Sequence, residues 1–465
     1  MRSVFAVALS AALAAHLPAC GATGAPDEKP PPRIFSETAE QKAQRMAWWT
    51  HDRFGMFIHF GLYAAPARHE WMKSREGMVD RDYDRYLEHF NPDLYDAKEW
   101  ARAAKAAGMK YAVLTTKHHE GFCMWDSKYT DYKVTNTPCK RDLLRELVDA
   151  FRAEGLKVGF YYSLLDWHHP DFVIDDIHPY GQHPDRDKLN KGRSMKRYAQ
   201  YMRDQVTELL TEFGKIDIIW FDFSYPGRNG GKGRNEWESE KLVKLVRKLQ
   251  PNIIIDNRLD LPGSGDIITP EQYVPDDGVR DEKGNPVVWE GCQTFSGSWG
   301  YHRDEQTWKS RKMCIEMLIR HVSRGGNLLM NVGPTSRGYL DSRALDRLAG
   351  FAEWMRYHQR SIYGCGAAPK GFSAPEGCRY TYNAKTKRLY VHLFDWPFKH
   401  LHLPNMQGKI KYAQLLLDGS EIHFYDASAG RPNGMHAATP EGAVTLMLPV
   451  LKPNTEVPVI EVFLK

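Results

Sequence analysis

The chain has 465 residues, 42% of them hydrophobic and 26% charged, with a formal net charge of +5. That length exceeds one ordinary domain, and that composition excludes a disordered or fibrous chain. A small net charge with no basic tract argues against a nucleic-acid partner.

The first residues, MRSVFAVALSAALAAHLPACG, carry one early Arg, an apolar run too short to span a bilayer comfortably, and then small residues. This is the pattern of an export leader. LPAC, ending at Cys20, is similar to a bacterial lipobox, in which the Cys becomes the lipidated first residue of the mature chain. Pro18 is not the usual residue there, so ordinary secretion stays open. We expect a leader over 1–20, a Pro-rich tether over 21–38, and an exported protein of the periplasm or cell surface. Six cysteines remain: Cys123, Cys139, Cys292, Cys314, Cys365 and Cys378. They show no CxxC spacing, so no structural zinc is expected. Export permits disulfides, and Cys365 with Cys378 could close a small loop, but the pairing stays open.

From about Ala39 to Gly364 short apolar strands alternate with amphipathic helices. The strands are predicted at 55–61, 110–117, 157–163, 217–223, 252–258, 287–292 and 327–333. Helices are predicted at 97–108, 141–155, 194–214, 238–250 and 307–326. Gly108, Gly155, Gly214 and the pair 325–326 are natural C-terminal stops, and Pro251 ends another helix. Seven strands with helices between them suggest a (β/α) barrel or a doubly wound sheet. Polar residues fall at the strand ends: His59, Lys117 and His118, Tyr161 and Tyr162, Asp222, Arg258, Glu290 and Asn331. In a barrel those ends converge on one mouth. No glycine-rich phosphate fingerprint follows the first strand, which counts against a nucleotide-binding sheet. A (β/α)8-like, TIM-type barrel over 39–364 is the favoured reading.

After Gly364 the texture changes. Segments 379–397, 409–427, 443–449 and 457–465 alternate apolar and polar residues between turns. They predict an antiparallel β-sandwich over 365–465, acting as a cap on the barrel or as a carbohydrate-binding module.

Three stretches carry chemistry. TTKHHEGFCMWDS (115–127) holds His118, His119, Glu120, Trp125 and Asp126. Adjacent histidines on an extended segment point apart, so a metal site using both would need a bent loop. Recognition of hydroxyl groups by imidazole suits the cluster better. FGMFIHFGLYAAPARHEWM (54–72) puts His59 late in a strand and Glu70 and Trp71 on the next loop. A lone buried His is usually a satisfied core residue, but here the flanking aromatics make a polar-aromatic pocket. KIDIIWFDFS (215–224) is an apolar strand that ends at Asp222. An ionised carboxylate in such company needs a partner, and Arg258 is a candidate. Glycoside hydrolysis needs two carboxyl groups, one to donate a proton and one to attack or to activate water. Downstream, Glu271 in IITPEQYVP and Glu290 in VVWEGC are the candidates for the second.

At these residues the chain resembles the α-L-fucosidases of glycoside hydrolase family 29. The resemblance rests on FGMFIHFGLYAAPARHEW, YAVLTTKHHEGFCMWDSKYTDY, IDIIWFDFS, WGYHRDE and GGNLLMNVGPTSRGYL, and runs in order over residues 40 to 365. It implies a retaining exo-enzyme acting on a fucosylated glycan without cofactor or metal. It implies Asp222 as nucleophile and Glu271 as acid/base, with Glu290 as the alternative. It implies a fucose pocket of His59, Glu70, Trp71, His118, His119, Tyr161, Trp220 and Arg258, with Trp299 against the sugar methyl. Phe60 stands where the family commonly has Trp, and Phe223 where it commonly has Gly, which bears on substrate range. Competing readings are a glycosidase for a fucose analogue such as α-L-galactose, a metal-dependent barrel hydrolase using His118, His119, His168 and His169, and a non-catalytic glycan-binding protein.

Overall fold

The computed structural model describes residues 37–426 and 442–465. The expected leader, Cys20 and all but the last two residues of the expected tether lie outside them. Among the described residues no helix is long and apolar enough to cross a membrane.

Seven strands form one parallel sheet: β1 (Phe54–Ile58), β2 (Tyr111–Lys117), β3 (Lys157–Ser163), β4 (Ile218–Asp222), β5 (Ile254–Ile255), β6 (Glu290–Thr294) and β7 (Asn327–Val332). Their order is β5-β4-β3-β2-β1-β7-β6. The strands are buried almost throughout, as parallel strands covered on both faces must be. One set of side chains, including Phe57, Val113, Tyr161, Ile218, Trp220 and Leu329, packs together inside the curl. The alternate set packs outward against the helices.

The gap between β5 and β6 is closed by residues 266–272, which lie outside the predicted strands. Asp266 N donates to Ile255 O at 2.7 Å, Ile268 N to Val288 O at 3.1 Å, and Cys292 N to Pro270 O at 3.0 Å. The architecture is a (β/α) barrel of the TIM type, and the doubly wound alternative falls away.

The outer helices follow from their sequences. Leu143–Ala153 buries Leu143, Leu144, Leu147, Val148 and Phe151 on one stripe, begins at Asp142, which accepts from Arg145 N, and stops before Gly155 at φ 78°. Two long helices have no counterpart in the sequence reading. Ala39–Asp52 opens with a Thr38/Gln41 capping box and sends Met46 and Trp49 into the barrel interior. Ser342–His358 buries Leu348, Phe351 and Trp354.

Beyond the barrel, β8 (Cys378–Asn383), β9 (Arg388–Leu393), β11 (Ile410–Leu415) and β14 (Val459–Leu464) form one antiparallel sheet. The strands β10 (His400–Leu403), β12 (Phe424–Asp426) and β13 (Val444–Met447) form a second. The sheets share a core that includes Leu389, Val391, Leu403, Leu446 and Ile460, so they make a sandwich. It sits on the barrel: Trp354 Nε1 donates to Val457 O at 2.8 Å, and Thr381 Oγ1 to Ser361 O at 2.6 Å. The suggested Cys365–Cys378 disulfide is absent, because both thiols are free and buried in separate cores.

Candidate active site

The C-terminal ends of the strands meet at one narrow cavity. It is lined by Phe57, His59, Glu70, Trp71, His118, His119, Tyr161, Trp220, Asp222, Phe223, Glu271, Cys292 and Trp299. Every residue assigned to the pocket from sequence contributes to this wall except Arg258, which lies directly behind it, and Glu290, which lies elsewhere.

Asp222 is the last residue of β4. Its Oδ1 accepts from Arg258 Nη1 at 2.9 Å and its Oδ2 from Tyr161 O–H at 2.7 Å. Burial, followed by the nearby Asp222 charge, drives the Tyr161 phenol well above its usual range, so it remains a donor. Arg258 is itself held. Its Nε donates to Thr269 Oγ1 at 3.1 Å, and its guanidinium stacks 4.4 Å from the centre of the Trp220 ring.

The same Arg258 Nη1 lies 2.8 Å from Glu271 Oε2. One nitrogen therefore bridges two carboxylates, and their facing oxygens are under about 6 Å apart. Asp222 is buried while the Glu271 side chain is 42% exposed, so the first is on the floor of the cavity and the second at its mouth.

The histidines act as acceptors. Asn331 Nδ2 donates to the backbone carbonyl of Trp299 at 2.7 Å, which fixes the amide so that its Oδ1 accepts from His59 Nδ1 at 2.6 Å. The Ser163 hydroxyl donates to Leu165 O at 2.8 Å and so accepts from His119 Nδ1 at 2.7 Å. In both rings the proton sits on Nδ1 and Nε2 carries a lone pair. Burial first, then the neighbouring imidazole of His118, pushes both rings well below the ordinary histidine range, so they are neutral. Trp220 Nε1 is a buried donor with no hydrogen-bond partner among the described residues. Glu70 Oε2 accepts from Gly300 N at 2.9 Å and ties the loop after β1 to the loop that carries Trp299. The Trp299 ring packs 5.1 Å from His59 and 5.9 Å from Phe57. Acceptors, one free donor and flat apolar faces in a dead-end cavity suit a small ring bearing several hydroxyl groups.

Glu290 is elsewhere. The sequence reading puts it at the C-terminal end of a strand over 287–292. The strand actually begins at Glu290, paired with Asn327 at the start of β7. The carboxyl group is therefore at the opposite end of the barrel, fully buried beside Trp49, with Tyr111 O–H on its Oε2. Burial pushes it up to about 7, against the opposing pull of the Tyr111 hydrogen bond and the nearby Trp49 N–H.

Sequence reasoning did not assign Asn331, Ser163 or Thr269 to the site. Each holds a residue that was assigned. The available signal was the polar residue ending an apolar strand, which Ser163 and Asn331 share with Asp222. Among the described residues no group of three or more His, Cys, Asp or Glu could hold a metal ion.

A family model described as Alpha-L-fucosidase matches residues 26–360. The plasma alpha-L-fucosidase of Homo sapiens is 28% identical over 379 residues, covering 76% of this chain and 77% of that protein. Among solved structures, alpha-L-fucosidase isoenzyme 1 from Paenibacillus thiaminolyticus matches with a TM-score of 0.84 at 45% identity, over 91% of this chain and 99% of that one. The trapped covalent intermediate of an alpha-L-fucosidase from Bacteroides thetaiotaomicron, in complex with 2-fluoro-fucosyl fluoride, matches with a TM-score of 0.77 at 29% identity, over 91% and 96%. The chain therefore belongs to the α-L-fucosidases of glycoside hydrolase family 29.

Proposed function

We propose that Asp222 and Glu271 are the catalytic pair of an exo-acting retaining α-L-fucosidase that removes terminal α-L-fucose from glycans. The observation that carries the assignment is the Arg258 nitrogen within 2.9 Å of Asp222 and 2.8 Å of Glu271. Retaining enzymes need the two carboxyl groups about 5 Å apart, whereas inverting enzymes leave room for a water at roughly 6.5–9.5 Å.

In the first step Asp222 attacks the anomeric carbon. The bond to the leaving oxygen breaks as Glu271 protonates that oxygen, and a β-fucosyl ester forms on Asp222. In the second step Glu271 takes a proton from water, the water attacks the same carbon, and Asp222 leaves with its charge restored. Tyr161 and Arg258 each hold one Asp222 oxygen, so the attacking carboxylate is positioned before substrate arrives. His59, His119 and Glu70 accept from sugar hydroxyls, Trp220 Nε1 donates, and Phe57 and Trp299 supply an apolar wall for the C5 methyl. That wall disfavours the hydroxymethyl of α-L-galactose. The place of Glu290 at the opposite end of the barrel supports Glu271 as the acid/base.

The test is hydrolysis of an aryl α-L-fucoside by the mature protein beside Asp222→Ala, Glu271→Ala and Glu290→Ala, with and without azide. The assignment expects β-fucosyl azide from Asp222→Ala and α-fucosyl azide from Glu271→Ala, with Glu290→Ala retaining ordinary turnover. Azide rescue of Glu290→Ala would move the acid/base there. A wild type that cleaves α-L-galactosides but not fucosides would change the substrate.

For the remaining regions, we read 1–20 as an export leader, Cys20 as a lipidation site, 39–364 as the catalytic unit and 365–465 as its cap. Labelled palmitate on the wild type and none on Cys20→Ala would support the anchor. Release of an unlabelled protein would leave plain secretion.

A further inference from the structure

Phe223 follows Asp222 with a φ of 84°. This is the left-handed region, which bulky L side chains rarely adopt and glycine adopts freely. The turn is forced by its surroundings. Asp222 O still accepts from Leu164 N at 2.9 Å, closing the β3–β4 ladder, and two residues later Tyr225 N already bonds Lys232 O at 2.8 Å. A glycine would make the turn without strain, so a strained phenylalanine needs a reason of its own.

The ring supplies one. It packs 5.2 Å from Trp71, 5.4 Å from His119 and 5.4 Å from Tyr225. Tyr225 is fixed from behind, because its hydroxyl and Lys232 Nζ both contact the buried carboxylate of Asp175. Phe223 and Trp71 are half-buried, whereas the floor residues His59, His119, Tyr161 and Trp220 are fully buried. The pair therefore forms an aromatic wall at the rim. The cavity is a dead end, so whatever is bonded to C1 of a seated sugar leaves through that rim.

We propose that Phe223, flanked by Trp71, is the leaving-group platform of this enzyme. It takes an aryl ring or the apolar face of the adjoining sugar and holds it while the glycosidic oxygen meets Glu271. This rests on the assignment of Asp222 and Glu271 as the catalytic pair.

The experiment compares kcat/KM for α-L-fucosyl fluoride, whose leaving group is a single atom, with that for an aryl α-L-fucoside and a fucosyl disaccharide. It uses the wild type, Phe223→Gly, Phe223→Ala and Phe223→Tyr. The Gly and Ala variants should lose about tenfold on the two large leaving groups, mainly in KM, and stay within about threefold on the fluoride. Phe223→Tyr should keep the wild-type ratio. Phe223→Gly should melt above Phe223→Ala, because only glycine relieves the turn, and this confirms that both variants fold and that the strain is real. Equal losses on the fluoride and the aryl fucoside would show that Phe223 serves the nucleophile instead, and no loss on either would leave the ring without this role. A wild type inactive on all three substrates would overturn the fucosidase reading itself.

Discussion

Replacing Glu290 by Gln separates the two carboxyl groups that the sequence offers as acid/base, Glu271 first and Glu290 as the alternative. In the folded chain burial raises this group from an ordinary 4.5 to about 7. In the unfolded chain it returns to the ordinary value. Between those two pH values the folded chain holds a proton that the unfolded chain has released, so stability falls as pH rises through the window and is flat beyond it. At about 1.4 kcal/mol per pH unit, the full penalty above pH 7 is about 3 kcal/mol. Glutamine is isosteric and neutral, so it escapes the penalty. Its amide oxygen can accept from the Tyr111 hydroxyl as the carboxyl does now. Glu290→Gln should therefore match the wild type near pH 4.5 and exceed it by about 2–3 kcal/mol at pH 8, read from urea midpoints across that range. Activity on an aryl fucoside at pH 7 should stay within about threefold of wild type, because no reacting atom is near. A stability gain independent of pH would refute the buried-proton argument. A large loss of turnover would refute the placement of the acid/base at Glu271.

Four further outcomes follow from the same geometry. Asn331→Ala removes the acceptor that fixes the His59 proton on Nδ1, and kcat/KM should drop about 10- to 100-fold; a rate equal to wild type would mean that the tautomer is immaterial. Tyr161→Phe deletes one of the two hydrogen bonds on Asp222, worth about 1.5–3 kcal/mol to a charged partner, and, with Asp222 as the proposed nucleophile, should act on kcat more than on KM in steady-state kinetics. Chelation with excess EDTA should leave turnover unchanged, and loss restored by a divalent cation would revive the metal-hydrolase reading. Treatment with a thiol reductant should leave the Tm unchanged, because the six described cysteines are free thiols; a downward shift would reveal a disulfide.

The parts of this protein that follow local rules were readable in the sequence. Apolar strands, capped helices and the switch to alternating strands past Gly364 all obey short-range patterns, and each barrel strand identified from sequence appears in the fold. The polar strand ends were readable for a physical reason: burial tolerates such a residue only where a mouth or a partner receives it. The same rule misled at Glu290. Val287, Val288 and Trp289 look like strand residues, so the Glu after them looks like the end of one. Yet the pairing with β7 begins at Glu290. Which end of a short strand is reached depends on register with its neighbour, and register is not a local property. The plug helix Ala39–Asp52 went unseen because only Met46 and Trp49 are buried along it, too few to mark an amphipathic stripe.

The closing segment shows most directly how the fold makes the site. The sequence NIIIDNR reads as a strand over 252–258, but only Ile254 and Ile255 pair with β4. The ladder stops there because a side chain takes over from the backbone: Phe221 N donates to Asp256 Oδ1 at 3.0 Å. On the other side Asp266 Oδ2 accepts from Ile255 N at 3.0 Å and is bound in turn by Arg247 at 2.6 Å. Two buried carboxyl groups thus satisfy amides that a longer strand would have occupied. Freed from the ladder, the chain brings Arg258 behind Asp222 and returns as residues 266–272, so that Glu271 arrives at the mouth beside the same guanidinium. A regular β5 running to residue 258 would keep these groups in the wall. Replacing Asp256 by Leu should therefore do more than remove a hydrogen bond. It leaves Phe221 N without a partner, at about 1–3 kcal/mol, and loosens the segment that holds Arg258 between the two carboxylates. The expected signature is faster amide exchange at Phe221 together with a loss of kcat, while the C-terminal sandwich keeps its exchange protection. A variant with slow exchange and full activity would show that the strand break is held by something other than this carboxyl group.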